Sequence, residues 1–292
     1  MAAEVILAMN TAPAAIGQHG RAALSERCDR LLFEERTGKS HALNAAVALA
    51  QGEVCAFIDD DAFPETGWLR TITAPLLAHD RARELVGCGG PVTPRFPASG
   101  APAWLTALID RNPTFFLGPK HHLGANPIDY SLDRGKRTAS PLGANCAYRR
   151  EIFSTYQYDP RLGPNRDTGL RGGEDTAISI QLMRDGYRLR YIPDARVVHP
   201  VEPNRTTPKF ALQGFYYQGA QSVRMRRAIG LDAELRSLLE ARREMWAVRA
   251  RWLRKTYKRK RQAAFHARLD LAFMRGVLDE LRRPFGTLRP PR

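Results

Sequence analysis

The chain has 292 residues, of which 43% are hydrophobic and 26% charged; this is long and apolar enough to bury a core and argues against disorder of the whole. No apolar run approaches the ~18–20 residues of a membrane-spanning helix. The net charge of +15 is uneven: residues 1–223 hold 25 Lys/Arg against 23 Asp/Glu, whereas residues 224–292 hold 20 against 7, so a near-neutral body precedes a basic tail.

In chain order, the start from Met1 to Asn10 carries Glu4 and no basic flank, so it does not read as a secretory signal. Glu4 to Ala8 is a short strand-like run. Ala42 to Ala50, rich in Ala and Leu and stopped by Gly52, predicts a helix. Val54 to Ile58 predicts a buried strand that runs directly into Asp59-Asp60-Asp61. Trp68 to His79 predicts a helix despite Pro75, and Leu85 to Gly89 another apolar strand. The Pro/Gly-rich stretch from Pro91 to Gly143 reads as long loops with one helix near Trp104 to Ile109; loops this long are often functional. Thr176 to Arg184 predicts a helix ended by Asp185-Gly186. Leu189 to Ile192 and Arg196 to His199 predict short strands. Strands alternating with helices predict an α/β sheet, whose ligands sit at the carboxyl ends of its strands. Four cysteines, Cys28, Cys55, Cys88 and Cys146, lie far apart without a C-x-x-C pair. That argues against a zinc site and a disulfide scaffold and for free thiols in a reducing cytosol.

Several residues invite chemistry. Three successive carboxylates after a strand repel one another unless a cation sits among them. Asp59 and Asp61 share a side if the extended geometry continues, and a hard divalent cation with phosphate oxygens would suit them. A solvated turn or helix cap is the plainer alternative. Thr37-Gly38-Lys39-Ser40 resembles the end of a phosphate loop, but the first glycine of that motif falls on Phe33, so the ATPase motif fails on spacing. Lys39 near a diphosphate or as a surface lysine both stay open. Glu174-Asp175 after Gly172-Gly173 caps a helix or does more. His199, at a strand end, is a structural residue or a neutral metal ligand.

Taken together, these pieces resemble a family 2 glycosyltransferase with the GT-A fold, from about Glu4 to Arg205. The pieces are Gly38 to Asn44, Phe57 to Asp61, Gly143 to Arg150, Gly172 to Asp175 with Gly186-Tyr187, and Tyr191 to Ala195 with His199. The resemblance implies a mostly parallel Rossmann-like sheet flanked by helices, with domain bounds of 1–205 for the GT-A unit and 206–292 for a basic helical extension. It implies a metal-dependent, inverting transfer of a sugar from a nucleotide-sugar donor to a hydroxyl of a saccharide or lipid-linked acceptor, in cell-surface polysaccharide or glycolipid synthesis. Asp59 and Asp61 would form the D-x-D pair, with Asp61 on Mg2+ or Mn2+, His199 a further metal ligand, and Asp60, Asp59, Lys39 and Asn145 on the donor side. Asp175 would be the general base and Glu174 would orient the acceptor. The family's usual first strand has no counterpart here, so the chain reads as starting at the second strand, with Met9 where an acidic base-binding residue is usual. The rival reading is an inactive GT-A-like module that binds through its tail.

In that tail, Leu231, Leu235, Leu238, Leu239, Met245, Trp246, Trp252, Leu253 and Tyr257 recur near helical spacing, and Leu269 to Leu281 predicts a second helix closed by Pro284. The stripe packs on the body or meets an anionic membrane surface through residues 224–292. Nucleic-acid binding through Lys255, Lys258, Arg259, Lys260 and Arg261 is the third reading, disfavoured because no recognised module accompanies the charge. The expected location is cytoplasmic, peripheral to the inner face of the membrane.

Overall fold

Two chain segments pass from one sheet straight into another, and their crossing organises the body. The computed structural model describes residues 2–78, 84–111, 114–117, 120–132, 140–167, 171–232, 235, 237–258 and 260–284. The strands are β1 (Ile6–Met9), β2 (Arg30–Phe33), β3 (Val54–Phe57), β4 (Phe63–Pro64), β5 (Leu85–Gly89), β6 (Val92–Arg95), β7 (Thr114–Phe115), β8 (Lys120–His121), β9 (Ile128–Asp129), β10 (Cys146–Arg149), β11 (Arg188–Tyr191) and β12 (Val197–Pro200). The helices are α1 (Gln18–Ser25), α2 (Lys39–Leu49), α3 (Trp68–Leu77), α4 (Ala103–Arg111), α5 (Glu174–Arg184), α6 (Pro208–Ala228), α7 (Leu238–Tyr257) and α8 (Arg261–Leu281).

One five-stranded sheet has the order β3-β10-β5-β11-β9 and the other β4-β12-β6-β8-β7. β5 continues into β6, and β11 into β12, so each chain segment contributes to both sheets. The pairs β5–β11 and β6–β12 are parallel, whereas β10 runs antiparallel to both β3 and β5. The α/β class and the helical C-terminal extension are as predicted, but the sheets are mixed where mostly parallel strands were expected. β1 and β2 form a separate parallel pair; among the described residues no ladder joins β1 to β3.

At the crossover, a Cβ on Gly90 would lie 2.0 Å from the Ala195 carbonyl oxygen, so only glycine lets the two segments approach there. One core lies between the first sheet and α5, with Tyr148, Phe153, Tyr158, Ile178, Leu182 and Leu189 buried and Leu43 and Val47 of α2 against them. The opposite face is covered by Trp68, Ile72 and Leu76 of α3 on Leu85, Cys88 and Ala147. Burying each such aliphatic side chain contributes roughly 1.5–3 kcal/mol. Leu105 and Ile109 of α4 share a third core with Ala211 of α6 and Leu269 of α8, which fastens the C-terminal helices to the body.

The predicted strand at Leu85 to Gly89 is observed with those bounds, and the helix beginning at Trp68 ends at Leu77; His79 lies outside the described residues. The stretch from Pro91 to Gly143 contains β6 to β9 besides its helix, and α6 forms where no particular helix was predicted.

Candidate active site

The acidic cluster sits where β3 ends, and the short ladder between β4 and β12 brings it to His199. Val198 pairs with Phe63, two residues beyond Asp61. His199 is 4% exposed, and its Nδ1 lies 2.9 Å from the Pro200 carbonyl oxygen. A carbonyl accepts only, so in the neutral ring Nδ1 carries the proton and Nε2 keeps a bare lone pair. That Nε2 points at Asp61 Oδ1, 3.2 Å away. Two lone pairs facing each other at this distance call for a cation or a proton between them. Asp59, Asp61 and His199 each offer a ligand atom, all within 4.8 Å of one another. Two carboxylate oxygens and an imidazole suit a divalent ion such as Mg2+ or Mn2+. Asp60, between the two, is exposed.

Lys39 opens α2 behind Gly38, whose φ of 128° favours glycine. Asn10 fixes this turn: its amide donates to the Glu34 and Arg36 carbonyls and its Oδ1 accepts from the Gly38 N–H. Beside it, the Arg36 guanidinium holds the Glu34 carboxyl down at about 2. Ser40 donates to the Leu162 carbonyl, and Asn44 exchanges two hydrogen bonds with the Tyr158 backbone, stapling α2 to the loop before α5. Lys39 Nζ thereby reaches Asp59 Oδ1 at 2.5 Å. Burial works against its charge, but Asp59, Glu174 and Asp175 outweigh that and hold the ammonium well above its ordinary pKa. Lys39 is therefore a fixed cation next to the acidic cluster.

Glu174 and Asp175 form the first turn of α5, entered through Gly173 at φ 99°. A Cβ there would also sit 3.0 Å from Gln221 Nε2 of α6. Asp175 is half-buried. Its Oδ2 accepts from the Gly143 N–H at 2.9 Å and its Oδ1 from the Thr176 N–H at 2.7 Å. The α-carbon face of Gly143 lies between Asp175 and Lys39: a Cβ there would be 3.5 Å from Asp175 Oδ2 and 3.7 Å from Lys39 Nζ. Lys39, Asp59, Asp61, Asp175 and His199 thus come from four separate stretches of chain, linked by Lys39 at the centre.

Glu174 points the other way. It is 4% exposed, with Oε2 lacking a hydrogen-bond partner among the described residues, in a space closed by Gly163. Burial, together with the charge of Asp175, raises its carboxyl to about 7 although Lys39 pulls the other way. The role expected for it, touching the acceptor, does not fit this position. A supporting role beneath Lys39 does. The folded protein then binds more protons than the unfolded chain between the ordinary glutamate value of 4.5 and about 7, so stability falls as pH rises through that window. Glu174→Gln is expected to flatten this part of a Tm-against-pH profile. A variant profile that keeps the wild-type slope would remove Glu174 as its source.

Asn145 is a second correction. It is fully buried, and its Nδ2 donates to the Pro91 and Ala195 carbonyls at 2.9 and 2.7 Å while its Oδ1 accepts from Trp68 Nε1 at 2.8 Å. With both amide hydrogens engaged at the strand crossover, it is a structural bracket and not a donor contact. Asn145→Ala would strand three buried polar groups, which costs at least about 2–3 kcal/mol. The loss should show in urea unfolding, with nucleoside diphosphate affinity of the folded protein unchanged.

Sequence reasoning missed Gly143 as the backbone anchor of Asp175, and it missed Arg171. The Arg171 guanidinium lies 4.9 Å from the Phe210 ring centroid and 4.8 Å from that of Tyr217, both on α6. Its place just before Gly172-Gly173 was the available signal.

Residues 19–156 match the family model described as glycosyl transferase family 2. Over that stretch the chain is similar to the family 2 glycosyl transferases. It holds Lys39 and the three aspartates, while Glu174, Asp175 and His199 lie beyond it. Curated relatives align over more of the chain. A glucosyl-dolichyl phosphate glucuronosyltransferase of Haloferax volcanii is 25% identical over 188 residues, covering 64% of this chain and 55% of that protein. An N-acetylglucosaminyltransferase of Rhizobium meliloti is 25% identical over 180 residues, covering 61% and 38%. The chain therefore spans about half or less of the relatives it matches. Among solved structures, a mannosyltransferase from Pyrobaculum calidifontis in complex with GDP-Man and Mn2+ aligns at a TM-score of 0.48 and 17% identity, covering 94% of this chain and 78% of that one.

Proposed function

We propose that the protein is a metal-dependent, inverting glycosyltransferase that moves a sugar from a nucleotide-sugar donor to an acceptor hydroxyl. The observation that carries this reading is the convergence of Asp59, Asp61 and the bare Nε2 of His199 within 4.8 Å, beside the fixed cation of Lys39. The named activities of the Haloferax and Rhizobium relatives, both glycosyl transfers, support it.

Asp61 and His199 would hold the divalent ion, with Asp59 shared between it and Lys39. When bound, the ion would neutralise charge building on the departing nucleoside diphosphate. Lys39 adds a second positive charge on the same side. Asp175, aimed by the Gly143 and Thr176 amides, takes the proton of the attacking hydroxyl. Attack from the face opposite the leaving group inverts the anomeric centre. Proton uptake by a positioned carboxylate is worth about 10²–10⁴-fold in rate.

The test is thermal shift with a panel of nucleoside diphosphates, with and without Mn2+, on wild type and Asp61→Ala. One diphosphate should raise Tm only when Mn2+ is present, and the variant should lose that rise. A folded protein that no diphosphate stabilises would sink the reading.

The acceptor side and location belong to the same proposal. A saccharide or lipid-linked acceptor is handled in the cytoplasm, at the membrane surface. Among the described residues no helix is long and apolar enough to cross a membrane. α7, however, turns Leu239, Trp246, Leu253 and Tyr257 outward, 57%, 61%, 53% and 90% exposed. These positions follow near-heptad spacing on one face. Arg249 stacks over Trp246 at 5.2 Å. An apolar stripe among arginines suits an anionic lipid surface.

A further inference from the structure

The C-terminal helices enclose a cleft of about 550 Å3 that none of the roles above uses. Its walls are Leu212, Tyr216 and Tyr217 of α6, Trp252 of α7, and Leu271 and Ala272 of α8, with Gln213, Arg268 and Arg275 at the rim. The size suits a small-molecule site. The lining is apolar and aromatic except for Gln213 and the two arginines. They stand seven residues apart on α8, about 10.5 Å along the axis and on one face. Two long guanidinium side chains at that separation can converge on one anion. Both are exposed, and neither makes an ion pair or hydrogen bond among the described residues. The nearby carboxylate of Asp279 is engaged elsewhere, accepting from Tyr216 at 3.0 Å and facing Arg282 at 3.5 Å.

We propose that this cleft binds a lipid phosphate, a single long apolar chain lying on Leu212, Trp252, Leu271 and Ala272 with its phosphate between Arg268 and Arg275. An anion without an apolar tail would leave the aromatic floor unused. A tail without an anion would leave two unpaired cations over it. Guanidinium pairs with phosphate by charge-assisted, bidentate hydrogen bonds. Trp252 lies on α7, the helix that also carries the outward stripe, about 100° round its axis from Leu253.

The cleft also communicates with Asp175. Tyr217 lines it and also holds the Arg171 guanidinium 4.8 Å from its ring centroid. Arg171 leads through Gly172-Gly173 into Glu174-Asp175, and Gln221, one turn beyond Tyr217, packs on Gly173. One face of α6 thus joins the cleft to the loop that enters α5. That a sugar carried on such a lipid phosphate supplies the acceptor hydroxyl rests on the glycosyltransferase reading; the binding itself does not.

Farnesyl phosphate below its critical micelle concentration is the probe, followed by tryptophan fluorescence and calorimetry on the full chain. Farnesol, inorganic phosphate and phosphatidylglycerol vesicles are compared with it. Saturable binding of farnesyl phosphate is expected, with farnesol and inorganic phosphate each weaker by about tenfold or more. R268A/R275A should weaken farnesyl phosphate by a similar factor and leave farnesol unchanged. Ala272→Trp, which fills the cleft, should block both. If Ala272→Trp fails to fold, the arginine variant decides, since both side chains are exposed. Equal binding of farnesol, indifference to the arginines, or response to vesicles alone would overturn the proposal. Mn2+-dependent diphosphate binding on the same samples separates the two readings: its loss sinks the transferase and leaves the lipid-phosphate site, and the reverse result does the opposite.

Discussion

Asp175→Asn is expected to lower the rate of sugar transfer by about 10²–10⁴-fold while leaving nucleoside diphosphate binding intact. The side chain keeps its size and its place in the first turn of α5, entered through the positive-φ Gly173. What it loses is the oxygen that takes a proton. As a carboxylate it accepts from two backbone amides, Gly143 N–H on Oδ2 and Thr176 N–H on Oδ1. The amide can keep only one of these contacts, which costs about 1 kcal/mol of stability and does not unfold the chain. On the proposed reading, donor binding would rest on Lys39, Asp59, Asp61 and His199 and not on this group. The split separates the base from a metal ligand: Asp61→Ala should lose Mn2+-dependent diphosphate binding itself, whereas Asp175→Asn should not. An inactive module acting through its tail predicts no change in either experiment. The measurement is single-turnover transfer beside diphosphate affinity by calorimetry. A variant that transfers at the wild-type rate would remove Asp175 from the mechanism.

Much of this site was legible because its chemistry is carried by residues at strand and helix ends. An apolar run stopped by three aspartates has few structural explanations, and the fold places Asp59 and Asp61 with His199 as the motif suggested. Asn145 was misread for a physical reason. Its partners lie 54, 50 and 77 residues away, so its function is set by where two strands cross, which no local pattern encodes. Glu174 was misread because adjacent residues on a helix face different ways, and the sequence cannot say which of the pair faces solvent. The strands of the Pro91 to Gly143 stretch escaped because three of the four, β7 to β9, are two residues long, too short for alternation to register. The mixed strand sense follows from β10, which returns antiparallel between β3 and β5. α6 had a start signal in Thr207-Pro208, where the Thr207 hydroxyl accepts from the Phe210 N–H. Its interior obscured that signal: the helix is packed on several sides and carries Gly214 and Gly219, so no single apolar stripe stands out.

Those glycines explain the second large effect. Gly276→Val is expected to unfold the C-terminal helices, lowering Tm by about 10 °C or more. A Cβ on Gly276 would lie 1.9 Å from the Tyr216 carbonyl oxygen, and one on Gly219 would lie 2.0 Å from that of Phe273. The backbones of α6 and α8 touch at both points, so no rotamer change can make room. The axes must separate, and the shared core of Val223, Val248, Met274, Val277 and Leu278 opens with them. Overpacking of this kind costs about 1–3 kcal/mol. A further cost arises at Arg224 and Glu280, each 6% exposed at the side chain and joined by two hydrogen bonds of 2.8 and 3.0 Å. Among the described residues Arg224 Nη1 already lacks a partner. Breaking a buried pair leaves an uncompensated charge, worth about 3–5 kcal/mol. Gly17→Ala is the control: a Cβ there meets nothing within 4 Å, and its φ of −57° is open to any residue. Its Tm should stay with wild type. The loss at Gly276 reaches the chemistry as well, because α6 carries Gln221 against Gly173 and Tyr217 against Arg171. A shift of α6 releases the loop that aims Asp175. Transfer should therefore fall at temperatures where the first sheet and its diphosphate binding persist. Loss of both together would instead mean that body and helices unfold as one cooperative unit.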